Sequence, residues 1–502
     1  WLATTGSGAI TIGATGSATA ADIFVMNGGS LNLAGSLTSD ATKGIRLGGD
    51  FSTTGNQDLT KSGTLNLTPS AGGVSYAGIV NAVGSNTSGA LAVNSQNTSG
   101  TNTLSGAIVL DSNLTINQSA GGTLALTTGG IDLKSLTLTF NAGAAANINA
   151  SGVISNSSGT GALTKGGAGT VTLSGNNTFG GLIAINEGVV QAGHNNALGA
   201  GTTYVGNGGP SFANTSASLL LNTSGLTVNN ALVTNKADTG AGFGTGIRTL
   251  GGNFTSGTST FSGTLALNGG AVLTAGSGGT VNFTGVISNG VDTGNISRAL
   301  TINAAGGIVG LTNTNTYTGG TTITAGTLSF ANGSLGTTGN ITMNGGTLQW
   351  GTGNTQDISS RLAMVAAKTA TYDTNGNNVT LATAIGSSTS ASLVKTGTGK
   401  LTLSAINTYT GGTTVDAGTL GIIGTGGNTR IVGALTVNSS GTVDVSNGTD
   451  TTGLGYNNQL TSVAINGGTI TTTGGSHIWN ITSGLTMTGG TLQSNNGVST
   501  TA

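Results

Sequence analysis

Apolar and small polar residues alternate along most of the chain, in short runs that end at glycine. In the run from 136 to 140, Leu136, Leu138 and Phe140 fall on one face, and two threonines fall on the other. Alternation with a period of two is typical of a β-strand with one buried face. The pattern predicts many short strands and hence an all-β protein.

A shorter pattern places Gly-Gly between two apolar residues. Five copies occur, at Met26–Leu31, Leu267–Val272, Met343–Leu348, Ile465–Ile470 and Met487–Leu492. Glycine accepts the positive φ angles that a tight corner requires. We therefore expect a corner at Gly28, Gly269, Gly345, Gly467 and Gly489. The last residue of each copy should point inward, because it starts the next strand.

A longer repeat occurs at Leu163–Gln191 and Leu393–Gly421, with a partial copy at Leu311–Phe330. Its aromatic residue is Phe179, Tyr317 or Tyr409, and the two intervals are 138 and 92 residues, six and four times 23. A repeat of about 23 residues is the size of one solenoid coil. The sequence therefore predicts a parallel β-helix (β-solenoid) of roughly 22 coils, in which the three aromatic residues occupy equivalent positions.

The coil period also decides against the alternative that alternation leaves open, a meander of antiparallel hairpins. In a solenoid each strand lies on the equivalent strand of the next coil, about 4.8 Å away. Phe330 and Trp350, 20 residues apart, should then stack. We expect residues 1–502 to form one continuous solenoid, with a lateral loop or irregular coils at 192–249, where the pattern is weakest.

Composition excludes several classes of protein. Charged residues make up 5% of the chain, against about a quarter in ordinary soluble domains. Glu187 is its one glutamate, so a helical protein with charged outer faces is excluded. Disorder is the rival interpretation, because 94 glycines give low complexity. The patterned hydrophobic residues, 35% of the chain, oppose it.

Charge and cysteine content limit the partners and bound groups that the chain can have. The net charge is −1, and the 13 basic residues are scattered, so we expect no nucleic-acid partner. The absence of cysteine excludes disulfides and thiolate metal sites. No apolar run approaches the roughly 20 residues that a membrane-spanning helix needs, so we expect no membrane-spanning segment in this chain.

Carboxylates were the main candidates for chemistry, because β-helical enzymes that cleave polysaccharides cluster two or three of them around one bond. The closest pairs in this sequence are Asp444 and Asp450, Asp50 and Asp58, and Asp111 and Asp132, which could stack on adjacent coils. Unclustered carboxylates favour solvated loop positions. We therefore expect no catalytic residue.

Other candidate sites are equally isolated. His194 and His477 have no ligand or triad partner nearby in sequence. The glycine-rich run at 166–169 lacks the Lys-Ser/Thr that completes a phosphate loop. Threonine-rich strands are also found in ice-binding solenoids, but those need near-identical coils. We expect no metal and no cofactor.

The residues Asn315–Leu328 and Asn407–Leu420 share the pattern Asn-Thr-Tyr-Thr-Gly-Gly-Thr-Thr-(Ile/Val)-x-Ala-Gly-Thr-Leu. This pattern resembles the autotransporter-associated β-strand repeat of bacterial type V secreted proteins. The resemblance implies a right-handed β-helix, export to the cell surface, and a role in adhesion or extracellular structure.

Three functions follow, in order of preference. The first is a non-enzymatic extracellular structural protein, a fibre subunit or surface stalk at the bacterial cell surface. The open sheet edges of its end coils should associate end to end. The second is an adhesin passenger that binds surface glycans, which an aromatic-lined groove would favour. The third is a carbohydrate-active enzyme, which clustered acids would favour.

Overall fold

The computed structural model describes residues 2–4, 9–12, 23–25, 28–36, 44–48, 62–69, 73–83, 91–206, 215–235, 246–291, 298–386, 390–423, 430–446, 454, 460–473 and 481–494. Almost all regular structure in these residues is β-strand, and a 3-10 turn occurs at Ser359–Arg361. The chain divides into two compact units. The first comprises Trp1–Phe254, Thr258–Ala271 and Gly290–Ile296, and the second comprises Thr255–Gly257, Val272–Asn289 and Ser297–Ala502.

Short strands follow one another closely up to residue 267. They are β1 (Leu2–Thr4), β2 (Ala9–Ile12), β3 (Ile23–Val25), β4 (Ser30–Leu33), β5 (Gly44–Leu47), β6 (Gly63–Leu67), β7 (Ser75–Tyr76), β8 (Ile79–Ala82), β9 (Leu91–Ser95), β10 (Thr101–Leu104), β11 (Ile108–Leu110), β12 (Leu114–Gln118), β13 (Thr123–Leu126), β14 (Ile131–Asp132), β15 (Thr137–Ala142), β16 (Asn147–Ala150), β17 (Ile154–Ser155), β18 (Ala162–Gly166), β19 (Thr170–Leu173), β20 (Ile183–Ile185), β21 (Gly188–Ala192), β22 (Thr203–Val205), β23 (Ala217–Leu221), β24 (Thr227–Val228), β25 (Leu232–Thr234), β26 (Arg248–Gly252), β27 (Gly257–Phe261) and β28 (Leu265–Leu267).

The strands after residue 270 include several longer ones. They are β29 (Ala271–Thr274), β30 (Gly279–Phe283), β31 (Ile287–Asn289), β32 (Leu300–Leu311), β33 (Thr321–Phe330), β34 (Ile341–Met343), β35 (Thr347–Trp350), β36 (Leu362–Met364), β37 (Thr369–Asp373), β38 (Val379–Leu381), β39 (Ser392–Thr396), β40 (Lys400–Leu403), β41 (Thr413–Ile422), β42 (Gly433–Ser446), β43 (Leu460–Thr473) and β44 (Leu485–Ser494).

From β7 to β17, each coil of the first unit contributes one strand to each of three parallel sheets. β9, β10 and β11 form one such coil, and β12, β13 and β14 form the next. Each strand of the second coil pairs in parallel with the corresponding strand of the first. Consecutive strands therefore never form hairpins here, and the parallel β-solenoid is confirmed.

The core consists of columns of inward side chains in register. Leu91, Leu114 and Leu138 stack in one column on β9, β12 and β15, and each is almost fully buried. The alternating threonines, such as Thr115 and Thr139, face outward and are half-exposed. The alternation in the sequence is thus the alternation between core and surface.

The second unit contains strands that bend at glycine and continue along the next side of the coil. The pairing of β32 with β33 shifts between Ile302 and Ile308 before regular register resumes. Phe330 pairs with Trp350, and their ring centroids are 5.3 Å apart. The stacking predicted from the 20-residue interval is confirmed. Tyr372, which is in register with Leu348, also approaches Trp350, and their ring centroids are 6.2 Å apart.

The coils are fewer and longer than predicted: the solenoid has about 17 turns, not 22. Asn32, Asn66, Asn94 and Asn117 occupy one position on successive coils, yet the separations are 34, 28 and 23 residues. The period of 23 was taken from the aromatic repeats, and coils elsewhere add residues between strands. The repeats therefore underestimate the mean coil length.

The glycine corners are largely confirmed. Gly28, Gly345, Gly467 and Gly489 have positive φ angles, which an L side chain adopts only with strain. Gly269 lies in a bend without a positive φ. The corner predicted for that copy is present between β28 and β29, and only the positive φ expected of its glycine is not.

The inward positions after these corners are confirmed in three copies, where Leu31, Leu348 and Ile470 are fully buried. Val272 is half-exposed, because its neighbours on β29, Ala271 and Leu273, take the inward positions. That prediction was displaced by one residue, which moves a side chain to the opposite face of a strand. Leu492, on β44, is also half-exposed.

The stretch 192–249 contains regular strands where it is described. β22 pairs in parallel with β20 and β25, and β23 pairs with β21 and β26. The expected lateral loop would fall at 207–214 and 236–245, which lie outside the described residues. A single continuous solenoid over 1–502 stays a prediction.

Candidate functional site

Each of the three sequence repeats contains a buried asparagine that joins three coils. Asn177, Asn315 and Asn407 are at most 3% exposed. Their Oδ1 atoms accept backbone N–H groups of the preceding coil, at Ile154, Ile287 and Ile385, over 2.8, 2.7 and 2.9 Å. Their Nδ2 atoms donate to carbonyls of the following coil, at Ala197, Ser334 and Arg430, over 2.6, 2.7 and 2.6 Å.

The aromatic residue two positions later is fully buried in all three copies, as predicted. The Tyr317 hydroxyl lies 2.6 Å from Thr321 Oγ1, and the Tyr409 hydroxyl lies 2.7 Å from Thr413 Oγ1. Burial raises the pKa of Tyr317 to about 12, although the Thr321 bond opposes the shift. Burial also raises the pKa of Tyr409. Both tyrosines therefore stay neutral at physiological pH.

The first copy replaces both members of this pair. Phe179 stands where the other copies have tyrosine, and Ile183 stands where they have the threonine four residues on. Both side chains are fully buried. A buried hydroxyl without a partner is costly, so the two apolar replacements together keep this copy free of such a group.

Two lysines of the repeats point into the core. Lys165 and Lys395 are fully buried. Lys165 Nζ donates to the carbonyls of Gly166, Gly167 and Glu187 over 2.8, 2.6 and 3.0 Å. Burial lowers its pKa to about 8, while the negative charge of Glu187 opposes the shift.

Lys395 repeats this arrangement 230 residues later. Its Nζ donates to the carbonyls of Thr396, Gly397 and Ala417 over 2.6, 2.8 and 3.1 Å. Burial lowers its pKa to about 8, and Asp373 opposes the shift. A lysine amine with a lowered pKa can act as a nucleophile or base, but all three of its donor positions here hold backbone carbonyls.

The surroundings of the two lysines also match. Phe140 lies in register with Lys165 on the preceding coil, and Ile185 lies in register on the following coil. Tyr372 and Val415 flank Lys395 in the same way. The aliphatic stems therefore fill two apolar columns, and the amines are inside the structure, not at a cleft.

Several arginines also cap backbone carbonyls. Arg361 Nε donates to Gly339 over 2.8 Å, Nη1 to Gly336 over 2.9 Å, and Nη2 to Leu335 and Thr338 over 2.8 and 2.9 Å. The guanidinium thus holds the 335–339 turn. Arg248 and Arg430 are 4% exposed and likewise donate to carbonyls.

The structure separates Asp111 and Asp132, the pair of carboxylates that could have stacked on adjacent coils. Asp111 forms an ion pair with Lys134 on the next coil, and Asp132 is in register with Val109, so the predicted stacking of the two aspartates is wrong. Burial raises the pKa of Asp132, but hydrogen bonds from the Ser157 hydroxyl and backbone amide lower it, and the net shift is downward.

The other candidate residues are mostly engaged or outside the described part. Asp444 forms an ion pair with Lys400 over 2.7 Å. His194 Nδ1 accepts the Asn196 N–H over 3.0 Å in a turn. The remaining candidates lie outside the described residues: Asp50, Asp58, Asp450 and His477.

The described residues offer neither a cluster of metal ligands nor a membrane-spanning helix. Among them, no group of three or more His, Asp or Glu side chains could hold a metal ion. Within the same residues, no helix is long and apolar enough to cross a bilayer. A small gap beside Gly106, Gly130 and Gly152 has room for at most about one water molecule.

Sequence reasoning missed the inward lysines and the asparagines that join coils. The lysine signal was present, because Leu163 and Lys165 are two residues apart in an alternating strand and so share a face. The signal for Asn177 was its place two residues before the repeat aromatic.

The comparisons identify the repeats that carry these side chains. A family model described as the passenger-associated-transport-repeat matches residues 163–192, 306–330 and 393–422. No curated protein and no solved structure matches the chain. The three segments contain both buried lysines and all three buried asparagines, and repeats of this family occur in autotransporter passengers. The chain is therefore a parallel β-solenoid that carries three passenger-associated-transport-repeats.

Proposed function

We propose that this chain is a non-enzymatic extracellular structural protein, a β-solenoid stalk or fibre subunit at the bacterial cell surface. The main support is the use that the fold makes of its few charged groups. Lys165, Lys395 and Arg361 donate to backbone carbonyls, so their donors stabilise coils. The passenger repeats support surface export.

The described carboxylates support the same function. Asp357 accepts the backbone N–H groups of Ser359 and Ala382. Asp373 accepts the side-chain amide of Gln349 and the backbone N–H of Asn375. Hydrolysis of a glycosidic bond needs an acid and a second carboxylate on opposite sides of one bond. Carboxylates committed to turns and ladders are poorly suited to that role.

End-to-end association into a fibre is part of the proposal. Leu485 and Met487 on β44 are 37% and 45% exposed, whereas their register partners Val463 and Ile465 on β43 are buried. A further coil stacked on β44 would bury these two side chains and pair its outer edge. We propose that a second copy of the chain can supply such a coil and so continue the apolar columns.

Adhesion to glycans is the alternative, and the repeat aromatics lend it little support. Phe179, Tyr317 and Tyr409 are fully buried, so they cannot stack on a sugar ring from outside. A carbohydrate-active enzyme is supported less still, because cleavage of a glycosidic bond would need clustered carboxylates, and the carboxylates described above are engaged in turns and ladders.

Microscopy of the native, untruncated protein tests the proposal. Antibody labelling of intact cells should place the chain outside, and negative-stain images should show filaments. Labelling only after cell lysis would overturn the extracellular assignment. Cleavage of a polysaccharide, abolished by replacing one aspartate, would overturn the non-enzymatic one. Isolated particles and a single monomeric species at micromolar concentration would count against the fibre.

A further inference from the structure

One surface of the first unit is a regular array of short, uncharged side chains, which we call the ladder face. It is formed by the outward residues of β4, β6, β9, β12 and β15: Ser30, Asn32, Thr64, Asn66, Ala92, Asn94, Thr115, Asn117, Thr139 and Asn141. We propose that the ladder face is a lateral docking surface for a second copy of this chain. This contact is separate from association at β44 and goes beyond the proposed function.

The asparagines of the ladder face form a continuous chain of hydrogen bonds. Each Nδ2 donates to the Oδ1 of the preceding coil, over 2.7 Å from Asn66 to Asn32, 2.9 Å from Asn94 to Asn66, 2.8 Å from Asn117 to Asn94, and 3.0 Å from Asn141 to Asn117. All the amides therefore point the same way. Their side chains are fixed before any partner arrives, which lowers the entropy lost on binding.

The ladder leaves hydrogen-bonding capacity that faces solvent. Asn66, Asn94 and Asn117 each donate one bond and accept one bond within the ladder. A carboxamide has two donors and two acceptor sites. Each of these half-exposed amides therefore keeps one N–H and one lone pair, repeated at each coil.

The period of this array identifies the occupant. Neighbouring amides are separated by the strand spacing of about 4.8 Å, and a second ladder face has the same spacing by construction. Facing ladders of identical asparagines form tightly packed interfaces in stacked β-sheets. A sugar polymer would not match this period. It would also find no aromatic ring to stack on, since the ladder face has none.

Charge and side-chain size favour the same occupant. The five strands contain no Asp, Glu, Lys or Arg, so two copies can approach without repulsion. Serine, threonine, alanine and asparagine are short enough for close contact between two sheets. A twofold axis through the middle strand, β9, would bring Ala92 of one copy near Ala92 of the other.

The size of the ladder face sets the expected strength. Five strands at the usual spacing and rise cover roughly 350 Å² per copy, below the roughly 800 Å² per partner of a stable complex. Association through this face alone is therefore weak in dilute solution. It becomes effective where copies are held close together, because local concentration replaces affinity.

The absence of cysteine allows a direct test by disulfide trapping in the full chain. Ala92→Cys places a thiol at the middle of the ladder face. Ala125→Cys is the matched control, since Ala125 is also a half-exposed outward alanine but lies on β13 in another sheet. Oxidative dimer formation is followed from micromolar to millimolar protein. Each rate is divided by that thiol's rate with a soluble disulfide reagent, which corrects for local reactivity.

We expect the Ala92→Cys protein to dimerise at least tenfold faster than the Ala125→Cys protein. Thr115→Lys, added to Ala92→Cys, should remove this advantage by placing like charges face to face. Thr172→Lys, on β19 in the other sheet, should leave it unchanged. Circular dichroism confirms that each variant is folded.

Equal normalised rates for the two cysteines would overturn the proposal. Equal rates combined with protection of the Ala92→Cys thiol by a soluble neutral glucan would assign the face to a polysaccharide instead. Met487→Lys should not alter the trapping rate, because it lies outside the ladder face. If Met487→Lys removes fibres but leaves the trapping rate unchanged, the result supports the end-to-end joint at β44 and shows that the lateral contact is independent of it.

Discussion

The hydroxyl groups of Tyr409 and Thr413 lie 2.7 Å apart inside the core, and both residues are buried. The equivalent residues of the first repeat, Phe179 and Ile183, have no hydroxyl at all. The repeats thus keep this pair either wholly polar or wholly apolar. Both repeats therefore avoid a buried hydroxyl group without a hydrogen-bond partner.

This pairing predicts a coupled effect on stability. Tyr409→Phe should cost about 1–2 kcal/mol, because it leaves the Thr413 hydroxyl buried and unpaired. Adding Thr413→Val should recover part of that loss and reproduce the apolar pair of the first repeat. Tyr409→Ala, which empties the position, should cost on the order of 3 kcal/mol. Urea unfolding of the single and double variants gives the coupling, and strictly additive losses would contradict it.

The buried asparagines predict a local loss of protection. Asn407→Ala leaves the Ile385 N–H and the Arg430 carbonyl without the bonds that the side chain provides, at a cost of about 2–4 kcal/mol. Hydrogen exchange at Ile385 should accelerate. Asn94→Ala on the ladder face is the matched control and should cost less than about 1 kcal/mol, because water can replace its bonds. Similar losses in both variants would contradict the three-coil role.

The buried lysines predict a dependence of stability on pH. The folded-state pKa of Lys395 is about 8, below the usual 10.5, so the unfolded chain binds more protons between these values. Stability should therefore rise with pH across this window. Lys395→Met should flatten the rise and leave the protein folded, since an apolar residue, Ile302, pairs with Ile323 on the next coil as Lys395 pairs with Val415. Lys134→Met, at a surface ion pair, should not flatten it.

Thermal unfolding at pH 7, 8, 9 and 10 measures the effect as the difference in Tm between each variant and the parent chain. Lys165→Met should behave like Lys395→Met, because its amine has the same three-carbonyl environment. Parallel curves for the parent and both buried-lysine variants would show that the amines do not lose protons in this window.

The exposed apolar side chains of β44 predict that fibre formation depends on one face. Met487→Lys should reduce the fraction of fast-sedimenting species at least tenfold, because a charge would be buried without a partner at the joint. Val291→Lys is the control, since Val291 is 93% exposed elsewhere. Sedimentation velocity of the native chain measures both. An unchanged distribution for Met487→Lys would place any joint elsewhere.

The strands and the repeat aromatics could be predicted because each signal lies within a few residues. Alternation such as Leu136-x-Leu138 marks a buried face directly, and the 20-residue spacing of Phe330 and Trp350 links neighbouring coils. The ladder face could not be predicted, because successive members of the ladder are 23 to 34 residues apart. An irregular interval conceals a regular arrangement in space.

The candidate site was harder to predict for a different reason. Lys165 and Lys395 share a face with Leu163 and Leu393, which signals an inward position, but lysine is rarely buried. Only the three carbonyls that converge on each amine explain the exception, and one of them comes from the next coil. Contacts between coils follow from the register, which the sequence pattern alone leaves open.

The unequal coils have an evolutionary consequence. Asn32 and Asn66 are separated by 34 residues and Asn94 and Asn117 by 23, yet their amides meet at 2.7 and 2.8 Å. An insertion or deletion of about ten residues between strands therefore leaves the spacing along the ladder untouched. Such a chain can accept insertions and deletions between many of its strands independently, while selection acts on the residues at the stacked positions of the strands.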